Sequence, residues 1–249
     1  MLTEILRRPS PVVLLVALAA CGGAPPPQVT NGECVVLLHG LARSSLSMEL
    51  MASGLEQAGY RVANIDYPSR DHEIETLAPM AVEAGIRRCD EDRVSERIHF
   101  VGHSLGGILV RYYFADRPFE RMGRLVMLGP PNQGSSAVDT LGDVPGFEWL
   151  NGPAGYQLGK GADSVPLKLG PPSFDVGVIA GTRSIDPVTS AVLEDPDDGR
   201  VSVSDTRLEG MRDFRVIPAT HAFMMQKGDV IRMTQNFLEH GSFDDPAGR

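Results

Sequence analysis

Residues Phe100 to Phe114 read FVGHSLGGILVRYYF, and the reading of this stretch decides the fold. An apolar run ends at Gly102, an amphipathic helical run begins at Leu105, and Ser104 lies between them. Gly102-His103-Ser104-Leu105-Gly106 fits the pattern G-x-S-x-G. In a chain with 27 glycines that pattern alone is only a hypothesis. A strand before it and a helix after it are the context a nucleophile elbow needs. Such a turn leaves no room for flanking side chains, which explains Gly102 and Gly106, and Gly107 lets the helix pack on a neighbouring strand. The new helix aims its free N–H groups at the serine, which favours negative charge there. A phosphate-binding loop fits less well: there is no G-x-G-x-x-G, and no Gly-Lys-Ser or Gly-Lys-Thr follows.

Outward from this turn, strand-like and helix-like segments alternate. Cys34 to Gly40, CVVLLHG, is a continuous apolar run of the kind found in strands buried on both faces. Ser45 to Ala58 has helical spacing, with Leu46, Leu50, Met51 and Leu55 as its apolar face and Gly59 as its C-cap. Tyr60 to Pro68 reads as a strand, Ile74 to Arg88 as a helix weakened at Gly85, and Arg97 to Gly102 as the strand before the serine. After the helix Leu105 to Phe114 come the strand Arg124 to Pro131, the strands FDVGVIAGT and DFRVIPATH, and a closing helix over Ala222 to Glu239. Repeated strand–helix units predict an α/β fold, a mostly parallel sheet flanked by helices on both sides. Between Asn132 and Pro172 the alternation stops. That stretch, with the single Trp149, is either a small cap over a site or a long loop packed on the surface.

A serine nucleophile needs a base, and the base needs a carboxylate. His221 follows a strand at the edge where Ser104 also lies, so it is the candidate base. His240 ends the last helix, where a cation suits the helix dipole. His39 and His103 belong to the turns around the site, and His72 and His99 read as structural. Among the acids, Asp198 leads through a turn into a short apolar segment. Asp186, nearer a strand end, is its rival. The tetrahedral oxyanion needs two N–H donors. These are the amide of Leu105, just after the serine, and that of Leu41, in the loop after VVLLHG.

Composition bounds the rest. A net charge of -9 argues against a general nucleic-acid binder, which normally carries a basic stripe. The N-terminus has Arg7 and Arg8, an apolar run Val12 to Ala20, then Cys21. The run is too short to span a bilayer and suits a secretory signal. Leu18-Ala19-Ala20-Cys21 resembles a bacterial lipobox, in which the cysteine is lipidated; a simple signal cleaved nearby is the alternative. The expected organisation is a signal over residues 1–20, a tether over 21–32, and a catalytic domain over 33–243 with the insertion at 132–172. Export to the cell envelope would let Cys34 and Cys89 pair. If the strands at Cys34 and Arg97 are parallel neighbours, both sulfurs lie at the same sheet edge. Two free thiols are the other possibility.

From Glu33 to Phe243 the chain resembles the α/β-hydrolase superfamily, and within it bacterial lipase- and esterase-like proteins. The resemblance is carried, in order, by VVLLHGL, GHSLGG, GPPNQGS, DGRVSVSDT and ATHAFMM. It implies Ser104 as nucleophile, Asp198 as acid, His221 as base, and Leu41 and Leu105 as oxyanion donors, with no metal or organic cofactor. The stretch PNQGS resembles the Pro-His-x-Gly-Ser of many lipases, with Asn132 in place of the histidine. The expected substrate is a small-molecule ester or lipid, and the expected membrane attachment is through the Cys21 lipid. The same triad also suits an acyltransferase or a thioesterase. A non-catalytic lipid-binding protein would lack a triad member, and none is missing.

Overall fold

The computed structural model describes residues 32–142 and 146–245; of residues 147–150 it describes the backbone path only. Cys21, the signal and most of the tether lie outside the described residues, as does the side chain of Trp149. Six strands form one sheet: β1 (Cys34–Leu38), β2 (Arg61–Ile65), β3 (Ile98–His103), β4 (Met122–Leu128), β5 (Val176–Gly181) and β6 (Asp213–Ile217). Their order is β2-β1-β3-β4-β5-β6, and every neighbouring pair is parallel. The helices in chain order are α1 (Glu49–Gln57), α2 (Ile74–Asp90), α3 (Leu105–Phe114), α4 (Ser136–Leu141), α5 (Phe147–Tyr156), α6 (Val165–Lys168), α7 (Pro187–Ser190), α8 (Val203–Thr206) and α9 (Gly228–His240).

The apolar run CVVLLHG is continuous because β1 is covered on both faces. Cys34, Val36 and Leu38 pack toward α2 and α3, while Val35 and Leu37 pack toward α1 and α9. All five are essentially inaccessible to solvent. Truncating one of the leucines to alanine in such a core typically costs about 2–5 kcal/mol.

Two local readings of the sequence are corrected. The segment from Ser45 opens with a 3-10 turn over Ser45–Met48 before α1. The buried face is then Met48, Met51, Ala52 and Leu55, whereas Leu46 and Leu50 are 76% and 55% exposed. The 3-10 turn rotates the chain, so Met48 takes the place that even helical spacing assigned to Leu46. The closing segment is also interrupted: a short 3-10 turn covers Met224–Gln226, Lys227 is extended, and α9 begins at Gly228. The stretch 132–172 holds α4, α5 and α6 between β4 and β5.

Cys34 and Cys89 form a disulfide, with their Cα atoms 5.8 Å apart. The parallel pairing of β1 with β3, which sets Cys34 opposite Ile98, brings the end of α2 to this sheet edge. Closing a loop with a sequence separation of 55 removes freedom from the unfolded chain. The chain-entropy model puts this at about 4 kcal/mol, and measured values typically run about 2–4 kcal/mol. Replacing both cysteines by alanine is expected to lower the urea midpoint by that amount of stability. An unchanged midpoint, or free thiols in the native protein by mass spectrometry, would contradict the cross-link.

Candidate active site

Ser104 sits where β3 turns into α3, and its backbone is left-handed, φ 53° and ψ -119°. A non-glycine residue held there costs about 1–3 kcal/mol and persists only when its surroundings enforce it. They do. A Cβ on Gly102 would lie 2.3 Å from the Gly107 nitrogen, and one on Gly106 would lie 2.3 Å from the Leu38 oxygen. The Ser104 N–H donates to the Leu128 carbonyl at 2.8 Å, which fixes the turn to β4. Ser104 is therefore presented at the C-terminal edge of the sheet, at the N-terminus of α3.

Asp198 and His221 arrive at that edge on separate loops and meet. Asp198 Oδ2 lies 2.8 Å from His221 Nδ1, and the carboxylate is fully buried. The other oxygen, Oδ1, accepts the N–H groups of Arg200 at 3.0 Å and Val201 at 2.8 Å. The His221 N–H in turn donates to the Asp198 carbonyl at 2.9 Å. A carboxylate only accepts, so Nδ1 carries a proton, which makes Nε2 the basic nitrogen of the neutral ring. Gly129, left-handed at φ +57°, makes room for the pair: a Cβ there would lie 2.9 Å from Asp198 Oδ2. Gly129 was not singled out from the sequence.

Asp186 does not join this pair. It caps α7, accepting from the N–H groups of Val188 and Thr189 and from the Thr189 hydroxyl. Those hydrogen bonds, the hydroxyl's first, hold its carboxyl below the usual range. Between the two acids that the sequence left in competition, only Asp198 touches His221.

The other histidines are accounted for. His39 is buried and stacked on Tyr67 at 4.1 Å, and burial lowers its pKa. Its Nδ1 donates to the Gly40 carbonyl at 2.8 Å. His103 is buried, and its Nε2 donates to the His221 carbonyl at 2.9 Å. Desolvation first, and the neighbouring His221 second, keep His103 well below the usual histidine range, so it is neutral. His99 lies 3.4 Å from Glu33, His240 at the end of α9 lies 3.7 Å from Glu239, and His72 is exposed.

Leu41 and Leu105 bring their amides to the same edge. Leu105 opens α3, so its N–H has no partner inside the helix. Within the described residues neither N–H has an acceptor. Next to Leu41, Ala42 is left-handed at φ 54° and donates its N–H to Ser69 Oγ at 3.1 Å. A cavity of about 340 Å³ opens here, with Ser104, His221 and Leu41 in its wall. Leu141 and Val138 of α4 and Leu158 beyond α5 supply its apolar side. That size falls in the range of small-molecule sites. A larger recess of about 500 Å³ lies at the opposite sheet edge, beside Arg124 and Asp175. Ser173, Glu120 and Asp175 line it, but no histidine does.

Asn132, the departure from the lipase-like stretch, turns away from the cavity. Its Oδ1 accepts from Arg111 at 2.8 Å, and its Nδ2 donates to the Thr206 carbonyl at 2.8 Å. Arg111 is buried on α3, and desolvation pulls it down to about 10. Asn132 thus ties α3 to the last residue of α8. Among the described residues, no helix is long and apolar enough to cross a membrane.

No curated protein matches the chain in sequence. Solved structures match its fold. The mature form of Bacillus licheniformis lipase BlEst2 aligns at TM-score 0.61 with 20% identity, covering 81% of this chain and 86% of that one. Phospholipase PlaB from Legionella pneumophila aligns at 0.62 with 19% identity, over 82% of this chain but 57% of that one. The metagenomic carboxyl esterase MGS0156 aligns at 0.58 with 18% identity, over 81% and 68%. A family model described as the alpha/beta hydrolase family matches residues 35–244. The all-parallel sheet, the elbow at Ser104 and this match together place the chain in the alpha/beta hydrolase family.

Proposed function

We propose that the protein is a serine hydrolase of carboxylic esters that works through an acyl-enzyme. One observation carries the reading: the histidine that Asp198 hydrogen-bonds, His221, stands with the strained Ser104 in the wall of one cavity. In the proposed mechanism Ser104 Oγ attacks the ester carbonyl while His221 Nε2 takes its proton. Asp198 holds the imidazole in the required tautomer and stabilises the imidazolium. The amides of Leu41 and Leu105 stabilise the oxyanion, a contribution worth roughly 3–4 kcal/mol per donor in related chemistry. Collapse of the tetrahedral intermediate breaks the bond to the alcohol, which leaves with the proton from His221. Water then attacks the acyl-enzyme, His221 takes its proton, and Ser104 and the free acid are regenerated. Ser104 and His221 are not hydrogen-bonded to each other among the described residues; such bonds often tighten only with substrate bound. The apolar side of the cavity suits the acyl chain.

We further propose that the protein is exported and held at a membrane by a lipid on Cys21. The Cys34–Cys89 disulfide supports an oxidising compartment. A single acyl chain gives only marginal attachment, so multiple acylation of the cysteine is part of the proposal. Changing Cys21 to Ser is expected to move the protein into the soluble fraction; unchanged membrane association would refute the anchor.

The mechanism makes two further predictions. Ser104→Ala should abolish labelling by a fluorophosphonate probe, and Asp198→Asn should lower ester turnover by roughly a thousandfold or more. Asp186→Asn should cost far less. Labelling that survives in Ser104→Ala, or Asp186→Asn proving the more damaging change, would overturn the assignment. The second concerns pH. Burial holds the folded-state pKa values of His39 and His103 below the ordinary histidine value of 6.5, so the unfolded chain takes up protons there before the fold does. Their contribution to stability is complete above pH 6.5 and declines as pH falls below it, by up to about 1.4 kcal/mol per pH unit for each histidine. Urea unfolding of His103→Gln should show a shallower loss on acidification than the wild type. Identical slopes would mean that His103 is not held neutral.

A further inference from the structure

The cavity beside Ser104 is not alone at this edge. A second recess of about 350 Å³ lies on the other side of His221, lined by Asp186, Asp198 and Thr220 among others. The two recesses share three residues: Arg43, Arg200 and His221. The wall between them therefore contains the candidate base and two arginines.

The charges on this wall do not balance. The Asp198 carboxylate is spent on His221 and on two backbone N–H groups. Arg200 is half exposed, with its guanidinium 3.6 Å from Asp186. Arg43 is exposed and pairs with no carboxylate among the described residues. Its charge nonetheless reaches the site, since it helps hold His103 neutral. Two cations thus face one available carboxylate, in a chain whose net charge is -9. A cation at the mouth of a cleft raises the local concentration of an anionic ligand, and a guanidinium matches carboxylate and phosphate oxygens in a planar, bidentate way.

Position says which half of the substrate carries that anion. The inner cavity has one apolar side, formed by Leu41, Val138, Leu141 and Leu158, which suits the acyl chain. His221 would deliver its proton to the departing alcohol, so the alcohol half lies beside His221, at the wall that also carries Arg43 and Arg200. We propose that Arg43, with Arg200, selects esters whose alcohol half carries a phosphate or carboxylate group. This rests on the ester-hydrolase reading above and adds the substrate class to it.

The test compares kcat/KM for monobutyrylglycerol phosphate with that for neutral monobutyrylglycerol. The wild type should favour the phosphate ester. Arg43→Gln should lower the ratio of the two values by about tenfold, of the order of one charge-assisted contact. Arg43→Glu should lower it further, and Arg43→Lys should keep most of it. A ratio unchanged within about twofold in both the Gln and Glu variants, for the soluble pair and for its long-chain micellar counterpart alike, would overturn the proposal. Long-chain versions of the same pair in mixed micelles distinguish the source of the anion. A shift confined to the micellar pair identifies a lipid headgroup, and a shift also seen with the soluble pair identifies the ester's own phosphate. If the wild type cleaves neither ester, the hydrolase reading fails, and this proposal with it. If it cleaves both without an effect of Arg43, only the selectivity fails.

Discussion

The close passage between the end of β3 and the start of α3 is the constraint on which the rest of the site depends. Two backbone approaches that no Cβ would allow, Gly102 on the Gly107 nitrogen and Gly106 on the Leu38 oxygen, leave Ser104 in a left-handed conformation. The strain, about 1–3 kcal/mol, is offset by burial of the strand and helix on either side. Phe100 and Val101 before the turn, and Ile108 and Leu109 after it, are wholly buried. A serine in an ordinary helix N-cap would point along the helix flank. Here it projects into the cavity at the end where the helix dipole favours an oxyanion.

Around that fixed point the remaining parts are brought in by loops leaving other strands. β5 and β6 lead to the segments that carry Asp198 and His221, and each segment is tied to the other through backbone as well as side chain. His103 adds a third tie, from the elbow itself to the His221 carbonyl. Burial makes a charged ring costly, so His103 is neutral with its proton on the Nε2 that donates to this carbonyl. The hydrogen bonds that orient the proposed base therefore run through the same turn that presents the proposed nucleophile.

Much of this was legible in the amino-acid sequence, for identifiable reasons. Central parallel strands leave continuous apolar runs, and β1 and β3 were readable on that account. The elbow was readable because its glycines, strand and helix occur in one short stretch. The parallel pairing of β1 with β3 made the Cys34–Cys89 contact an inference from position. What escaped was what depends on distant partners. Leu46 and Leu50 fit a helical stripe as well as Met48 does, and only the 3-10 turn decides which are covered. Asp186 and Asp198 are both acids near strand ends; capping of α7 claims one and His221 the other. Gly129 and the Arg111–Asn132 contact serve side chains far away in the chain, so no local pattern announces them.

The central claim is that Ser104, activated by a histidine that Asp198 orients, carries the acyl group between two half-reactions. Peptide mapping by mass spectrometry, on protein acid-quenched during turnover of a p-nitrophenyl ester, tests it most directly. The account predicts the acyl mass on the peptide containing Ser104, accumulating in the wild type and absent from His221→Ala. Turnover with that peptide unmodified, or with the acyl group on another residue, would contradict it.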